Sequence, residues 1–168
     1  MSETYSAFDI SPVPVPALDA VAPELFRGLY GMPMFVTVPT PDLPASVDFW
    51  IRGLGFFDLF TIPGRLTHLR RWAFQDVLLV SDDRPAEATA LSVSFACVLS
   101  QLEEIAAACE EMLPGCTTGP RMMPWNSVEL EVRTPDNTRV IMTAARPYDP
   151  NSVEAEYLRS IGIEAPGA

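Results

Sequence analysis

Lysine is absent: all 11 basic residues among the 168 are arginine, and histidine occurs once, at His68. The arginine-only usage reads as a base-composition bias of the coding sequence, not as an exclusion of amines. Basic charge is scarce as well, since 22 acidic residues leave a net charge of −11. Such a surface repels phosphate backbones and anionic membranes at long range, so nucleic acid is not an expected partner. Cysteine is rare: Cys97, Cys109 and Cys116 are odd in number and lack Cys-x-x-Cys spacing, which supports neither a disulfide framework nor a zinc site. Two of them sit in apolar periodic segments, where a free thiol serves as a small core residue. No apolar run approaches the ~20 residues that span a bilayer. Met1 to Tyr5 lack the basic start and apolar stretch of a secretory signal. A cytoplasmic protein with no membrane partner is the expectation.

What the chain does have is core-forming material, with 48% hydrophobic against 20% charged residues, in a length that suits one domain. Residues 1–33 form a proline-rich extension carrying Pro12, Pro14, Pro16, Pro23 and Pro33, which favour extended or irregular backbone. Within it, 23–30 has the spacing for one or two helical turns. Its apolar residues suggest an arm laid on the body or on a partner; a disordered tail is the alternative.

From Met34 the pattern becomes regular. Residues 34–39 alternate as a strand. Asp42 stands at an N-cap position with Pro44 in the first turn. Leu43, Val47, Trp50, Ile51 and Leu54 follow at helical spacing, and Gly55 stops the helix. Strands are expected at about 56–62, 66–74 and 76–81, with turns at Pro63-Gly64 and Gln75-Asp76. After a polar linker at 83–90 the same order returns. A strand at 91–99 leads to a helix opened by a Ser100/Glu103 capping box. Its apolar stripe is Leu102, Ile105, Ala106, Cys109, Met112 and Leu113, and Pro114-Gly115 ends it. Strands follow at about 116–122, 127–133 and 139–145, the last pair joined by a tight Asp136-Asn137 turn. A tail at 147–168 holds one short helix around 152–161. Two copies of one β-α-β-β-β unit, 34–83 and 91–146, make a single α+β domain over 34–146.

That duplicated order, with Val38 to Leu43, then Ser46-Val47-Asp48-Phe49-Trp50 and Leu54-Gly55-Phe56, resembles the opening of vicinal-oxygen-chelate proteins. Pro124-Trp125-Asn126, Glu129 and Arg133 to Thr138 resemble the ending of the bleomycin-resistance and glyoxalase-like members. The resemblance covers roughly 34–146 and implies tandem βαβββ modules whose concave mixed sheets form a cleft, between the subunits of a homodimer in relatives of this type. Metalloenzymes of the superfamily draw ligands from the first, fourth, fifth and eighth strands. By register with these motifs the positions fall at Phe35, within Leu78 to Ser81, at Ser92 and at Ile141. A transition metal needs several convergent N, O or S donors, and these residues do not supply them. No metal and no cofactor is expected.

The apolar face of each strand belongs beneath a helix, leaving the other face for the cleft. Val128, Leu130 and Val132 go under, and Glu129, Glu131 and Arg133 face the cleft. Val93 and Phe95 go under, and Ser92, Ser94 and Ala96 face it. In 66–74, His68, Arg70, Trp72 and Phe74 share the face assigned to the cleft. In 56–62 either alternate set suits it. The expected ligand contacts are therefore Phe35, Thr37, Trp72, Phe74, Ser92, Ser94, Trp125, Glu129 and Glu131, an apolar wall with sparse polar anchors. Aromatic stacking suits a flat aromatic ligand, and a cation on it adds interaction with ring faces or carboxylates. Trp72 and Phe74 read equally as core aromatics, and Trp125 as a plug of the barrel end. The two glutamates read as solvated strand residues ahead of a general acid–base pair.

Three functions follow in order. The first is a non-catalytic binder that sequesters an aromatic natural-product antibiotic or metabolite, for resistance or self-protection. The second is a metal-independent enzyme of secondary metabolism, an isomerase, cyclase or lyase. It would use His68 or one of Glu129 and Glu131 as acid–base, and Arg70 to stabilise developing negative charge. A metal-dependent glyoxalase or dioxygenase is the third.

Overall fold

The structure is a computed structural model that describes residues 5–6, 16–28, 34–83 and 91–164. The strands of the first module are β1 (Phe35–Thr40), β2 (Phe57–Ile62), β3 (Leu66–Arg70) and β4 (Asp76–Ser81). Those of the second are β5 (Ser92–Cys97), β6 (Thr117–Met122), β7 (Ser127–Arg133) and β8 (Arg139–Ala145). The sheets have the same order, β1-β4-β3-β2 and β5-β8-β7-β6. In each, the crossover strand pairs in parallel (β1 with β4, β5 with β8), and the hairpin neighbours pair antiparallel. The repeat read from the sequence is thus a repeat of topology.

Helix α1 (Leu43–Asp48) starts as expected, with the Asp42 carboxylate accepting from the Ala45 amide at 3.1 Å. It then widens into a π-helical turn over Phe49–Gly53, and Gly55 leaves it with φ 76°. The second helix does not open on a Ser100/Glu103 box. A 3-10 turn over Leu99–Gln101 precedes α2 (Leu102–Met112). The Gln101 side chain accepts from the Val98 amide at 3.3 Å, while the Ser100 hydroxyl donates to Ala20 of the N-terminal arm at 3.2 Å. The arm takes the cap residue that local spacing assigned to the helix. At the crossing of the two helical segments a Cβ on Gly53 would stand 3.0 Å from Cys109 Sγ, so a larger residue there would require the Cys109 side to shift. Cys97, Cys109 and Cys116 are all buried free thiols.

One core joins the modules. Trp50 and Phe56 from the first and Phe95 from the second meet edge-to-face, with centroids 5.1 to 6.2 Å apart. Leu69, Val77 and Leu79 pack on one side, and Leu130, Val132, Val140 and Met142 on the other. Trp50 is fully buried, and its indole N–H donates to Asp136 Oδ2 at 3.3 Å. The other Asp136 oxygen accepts from Ser46 Oγ, which itself lies 2.7 Å from Thr40 Oγ1. Because the Ser46 proton goes to the carboxylate, Thr40 donates to Ser46, and neutral donors hold a buried anion across the module boundary. The turn that presents Asp136 has Asn137 at φ 61°, the conformation expected of that dipeptide.

Beyond the modules, α3 (Val153–Ser160) is capped by Ser152 and buries Ala155 and Leu158. Tyr5–Ser6 pairs in parallel with Ile163–Glu164. Residues 23–28 form no helix; residues 29–30, and all but the first residue of the 83–90 linker, lie outside the described residues.

Asp136→Ala leaves two buried donors without their acceptor. It should cost about 2–3 kcal/mol, read as a lower urea midpoint with an unchanged m-value.

Candidate functional site

The segment expected to continue β3 to residue 74 does not do so. Arg70 lies directly opposite Asp76 in the antiparallel pair. A strand through 74 would leave one residue for the reversal. Residues 71–75 instead make a turn closed by the Arg71 amide and the Gln75 carbonyl at 2.9 Å, with Trp72 at φ 54° and Phe74 at φ 59°. Left-handed backbone at bulky residues costs of order 1–3 kcal/mol each. The turn leaves Trp72 half-buried and Phe74 76% exposed. The alternation that grouped both with His68 and Arg70 therefore fails at Arg70, and Phe74 is not a core aromatic.

The turn meets the arm. The Phe26 amide donates to the Trp72 carbonyl at 3.0 Å, and Arg70 Nη1 donates to the Phe26 and Gly28 carbonyls at 3.1 and 2.6 Å. The Arg27 guanidinium sits 4.6 Å over the Phe57 ring. Residues 16–28 are thus laid on the chain's own body. Beneath them is a cavity of about 470 Å³. Its arm side is Pro16, Ala20, Val21, Ala22, Pro23 and Leu25; its opposite wall includes Gly55, Arg71, Trp72, Ala96, Cys97, Val98, Gln101, Thr143 and Ala145. Ala96 pairs with Thr143, which pairs with Glu129, so the floor is the cleft face of the second sheet. The volume lies in the range of small-molecule sites.

Two titratable groups line this wall. Arg71 donates from Nε to the Leu54 carbonyl at 3.2 Å, from Nη2 to Gln101 Oε1 at 2.8 Å, and from Nη1 to the Ala96 carbonyl. It ties the end of the first helical segment to the second sheet, and desolvation lowers its pKa. Burial pushes the Cys97 thiol up to about 11 despite the nearby Arg71 charge, so at neutral pH it is protonated and a poor nucleophile.

Of the nine expected contacts, Trp72 lines this cavity. Phe35 and Thr37 lie on the first sheet, in rows with Asp76 and with Leu78 and His68. There His68, Arg70 and Asp76 form a buried cluster. Arg70 grips the carboxylate through Nε and Nη2 at 2.7 and 2.8 Å, and His68 Nε2 stands 2.9 Å from Oδ2. Burial raises the Asp76 pKa, but the bonds and charges of Arg70 and His68 outweigh it and hold the carboxyl below its ordinary value. An ionised carboxylate only accepts, so His68 Nε2 carries the proton. The imidazole lies between Phe35 and Phe60, edge-on, at 5.1 and 5.4 Å. Sequence reasoning missed Asp76 because its partnership runs across strands and shows no local spacing.

Ser92 and Ser94 are exposed on the second sheet. Glu131 is bound by Arg139 through two bonds of 2.8 and 2.9 Å, which lower its pKa. Glu129 accepts from Trp125 Nε1 at 2.8 Å and Ser127 Oγ at 3.1 Å. Each glutamate has its own partners, so the two do not form an acid–base pair. Trp125 is 49% exposed and plugs no core. Through Glu129 it stands beside Thr143, at the edge of the cavity floor.

The fold implies a metal among its enzymes, and this donor set does not fit one. Phe35 and Ile141 offer no donor. The fourth-strand residue beside Phe35 is Asp76, outside the expected Leu78 to Ser81, and both its oxygens are taken by Arg70 and His68. Among the described residues no group of three His, Cys, Asp or Glu gathers.

No protein-family model and no curated protein matches the sequence. Solved structures do. An integron cassette protein from the mobile metagenome of the Halifax Harbour sewage outfall is 23% identical over 68% of this chain and 99% of its own, with TM-score 0.54. The fosfomycin resistance protein FosX from Mesorhizobium loti is 13% identical over 70% and 94%, with TM-score 0.55. A glyoxalase/bleomycin resistance protein/dioxygenase from Nocardioides is 16% identical over 74% and 90%, with TM-score 0.51. The chain shares the α+β fold of these structures, with two mixed four-stranded sheets and, among the described residues, no closed barrel. No helix among the described residues is long and apolar enough to cross a membrane.

Because the Asp76 pKa is lowered in the folded state, its contribution to stability is present above the unfolded value of roughly 3.9 and is lost as pH falls through the folded value. Urea midpoints measured between pH 7 and pH 2 should drop through that acid window. Asp76→Asn should be less stable at pH 7 by about 3–5 kcal/mol and should flatten the drop; an unchanged acid limb would remove Asp76 from this role.

Proposed function

We propose that this protein is a metal-free, small-molecule-binding member of the vicinal-oxygen-chelate fold. It sequesters an aromatic natural product or metabolite, in resistance or self-protection, and holds it in the cavity that its own arm lines. The observation that carries this reading is the cavity itself: about 470 Å³, walled mainly by apolar residues with Trp72 among them, and with its one thiol held protonated. The wall has surface for stacking and no activated nucleophile. FosX and the bleomycin resistance protein/dioxygenase, proteins whose names carry drug resistance, share the fold.

Homodimerisation is part of the proposal. Phe35, Phe60 and Ile62 leave 40 to 47% of their surface exposed on one sheet, and a second copy would cover a face of this kind. A second reading is favoured by the His68–Asp76 pair: a carboxylate that orients an imidazole between two aromatic rings is the arrangement of a metal-independent acid–base enzyme.

One experiment separates these readings. The purified protein, its oligomeric state followed by light scattering, is titrated with aromatic natural products while tryptophan fluorescence is recorded, and the ligand is then recovered for mass spectrometry. Sequestration predicts a dimer, saturable quenching and an unaltered ligand. Trp72→Ala should weaken binding by about 1 kcal/mol or more. Trp125→Ala, at an exposed position, should change stability by less than about 1 kcal/mol while lowering affinity. Conversion of the ligand, abolished by His68→Ala, would transfer the assignment to the enzyme.

A further inference from the structure

The buried charges of this molecule are not treated alike. Arg70, His68 and Asp76 satisfy one another; the Glu131–Arg139 pair is partly exposed. The Asp136 carboxylate is held by neutral donors, away from the cavity wall. Arg71 alone among the buried cations both lines the cavity and lacks an acidic partner among the described residues. It is 4% exposed. Its three bonds end on two backbone carbonyls and a neutral amide, which engages three of the five N–H donors of a guanidinium. The acid nearest to it in effect, the Cys97 thiol, stays protonated far above neutral pH and supplies no charge. A guanidinium does not shed its proton to escape burial. A full positive charge therefore stands at the wall of an apolar space with donors to spare, an arrangement costly without an anion.

We infer that the cavity selects an apolar, ring-bearing ligand with a single anionic group, a carboxylate or sulfonate, received by Arg71. The inference rests on the cavity being the binding site and adds the charge of its ligand. An anion also completes the fork geometry in which guanidinium groups bind oxyanions, while Trp72 and the arm residues Val21 and Leu25 contact the rings. The net charge of −11 opposes an anion during approach, but that repulsion is screened over ~8–10 Å in physiological salt. Inside the cavity the nearest charge is Arg71.

The test uses two dyes with the same ring system, 1-anilinonaphthalene-8-sulfonate and the uncharged N-phenyl-1-naphthylamine, both of which brighten in apolar surroundings. With the full-length protein the sulfonate should bind about tenfold or more tightly than the neutral dye. Arg71→Met keeps the apolar stem and should abolish the difference. Thr143→Trp, which fills the cavity from its floor, should lose both dyes. If Arg71→Met does not fold, the comparison on the unmodified protein together with Thr143→Trp still decides. Equal affinities for the two dyes overturn the anion inference and leave the cavity as a binding site. Failure of both dyes to bind, or full binding by Thr143→Trp, overturns the cavity reading and the inference with it.

Discussion

Burying Trp50 shapes this molecule more than any other single event. Its ring fills the space where the helical sides of both sheets meet, against Phe56 of one module and Phe95 of the other. Its N–H, fully removed from water, must find an acceptor, and the acceptor is Asp136 in the last hairpin of the second module. Ser46 and Thr40 complete the chain of donors from the first module. With both helical faces committed to one core, both cleft faces turn outward. The proline-rich arm then lies across part of that exposed surface and converts an open floor into a cavity.

The arm explains why the two parts of the cleft differ. On the first sheet, Arg70 lends two bonds to the Phe26 and Gly28 carbonyls while holding Asp76, so the arm is anchored beside the His68 cluster. On the second, Ser100 takes Ala20, and the segment between the anchors roofs the cavity. The chemistry beneath that roof is quiet. A protonated thiol, a hydroxyl and an arginine bound to two carbonyls and an amide line the cavity, and on the proposed reading they retain a ligand without changing it. The buried His68–Asp76 pair lies on the other sheet.

Features governed by local chemistry were legible in the sequence. The Asp42 cap, the glycine exits at Gly55 and Gly115, the Asn137 turn and the buried-or-open alternation of 92–97 and 127–133 each follow from a few adjacent residues. So does the duplicated module. Features governed by pairing between distant residues were not. Trp72 and Phe74 alternate with His68 and Arg70 as a strand would, and only the pairing of Arg70 with Asp76 ends the strand. Ser100 and Glu103 have capping spacing, but the arm takes the serine. Trp72 was placed in the ligand wall for a strand geometry it does not have, and it lines the cavity because the turn aims it at the arm. Arg71, which strand alternation puts on the face opposite to that of His68 and Arg70, gave no local sign of its part in the cavity.

The central claim is where a ligand sits, and amide hydrogen exchange on the full-length protein locates it most directly. Few amides of residues 16–28 are bonded to the body; that of Phe26 is one, so this segment should exchange quickly when the protein is free. Saturation with 1-anilinonaphthalene-8-sulfonate should slow exchange in 16–28, 71–75 and 139–145, and leave 35–40 and 66–70 unchanged. Protection confined to 35–40 and 66–70, with the arm exchanging as before, would place the ligand on the His68 face and contradict the account.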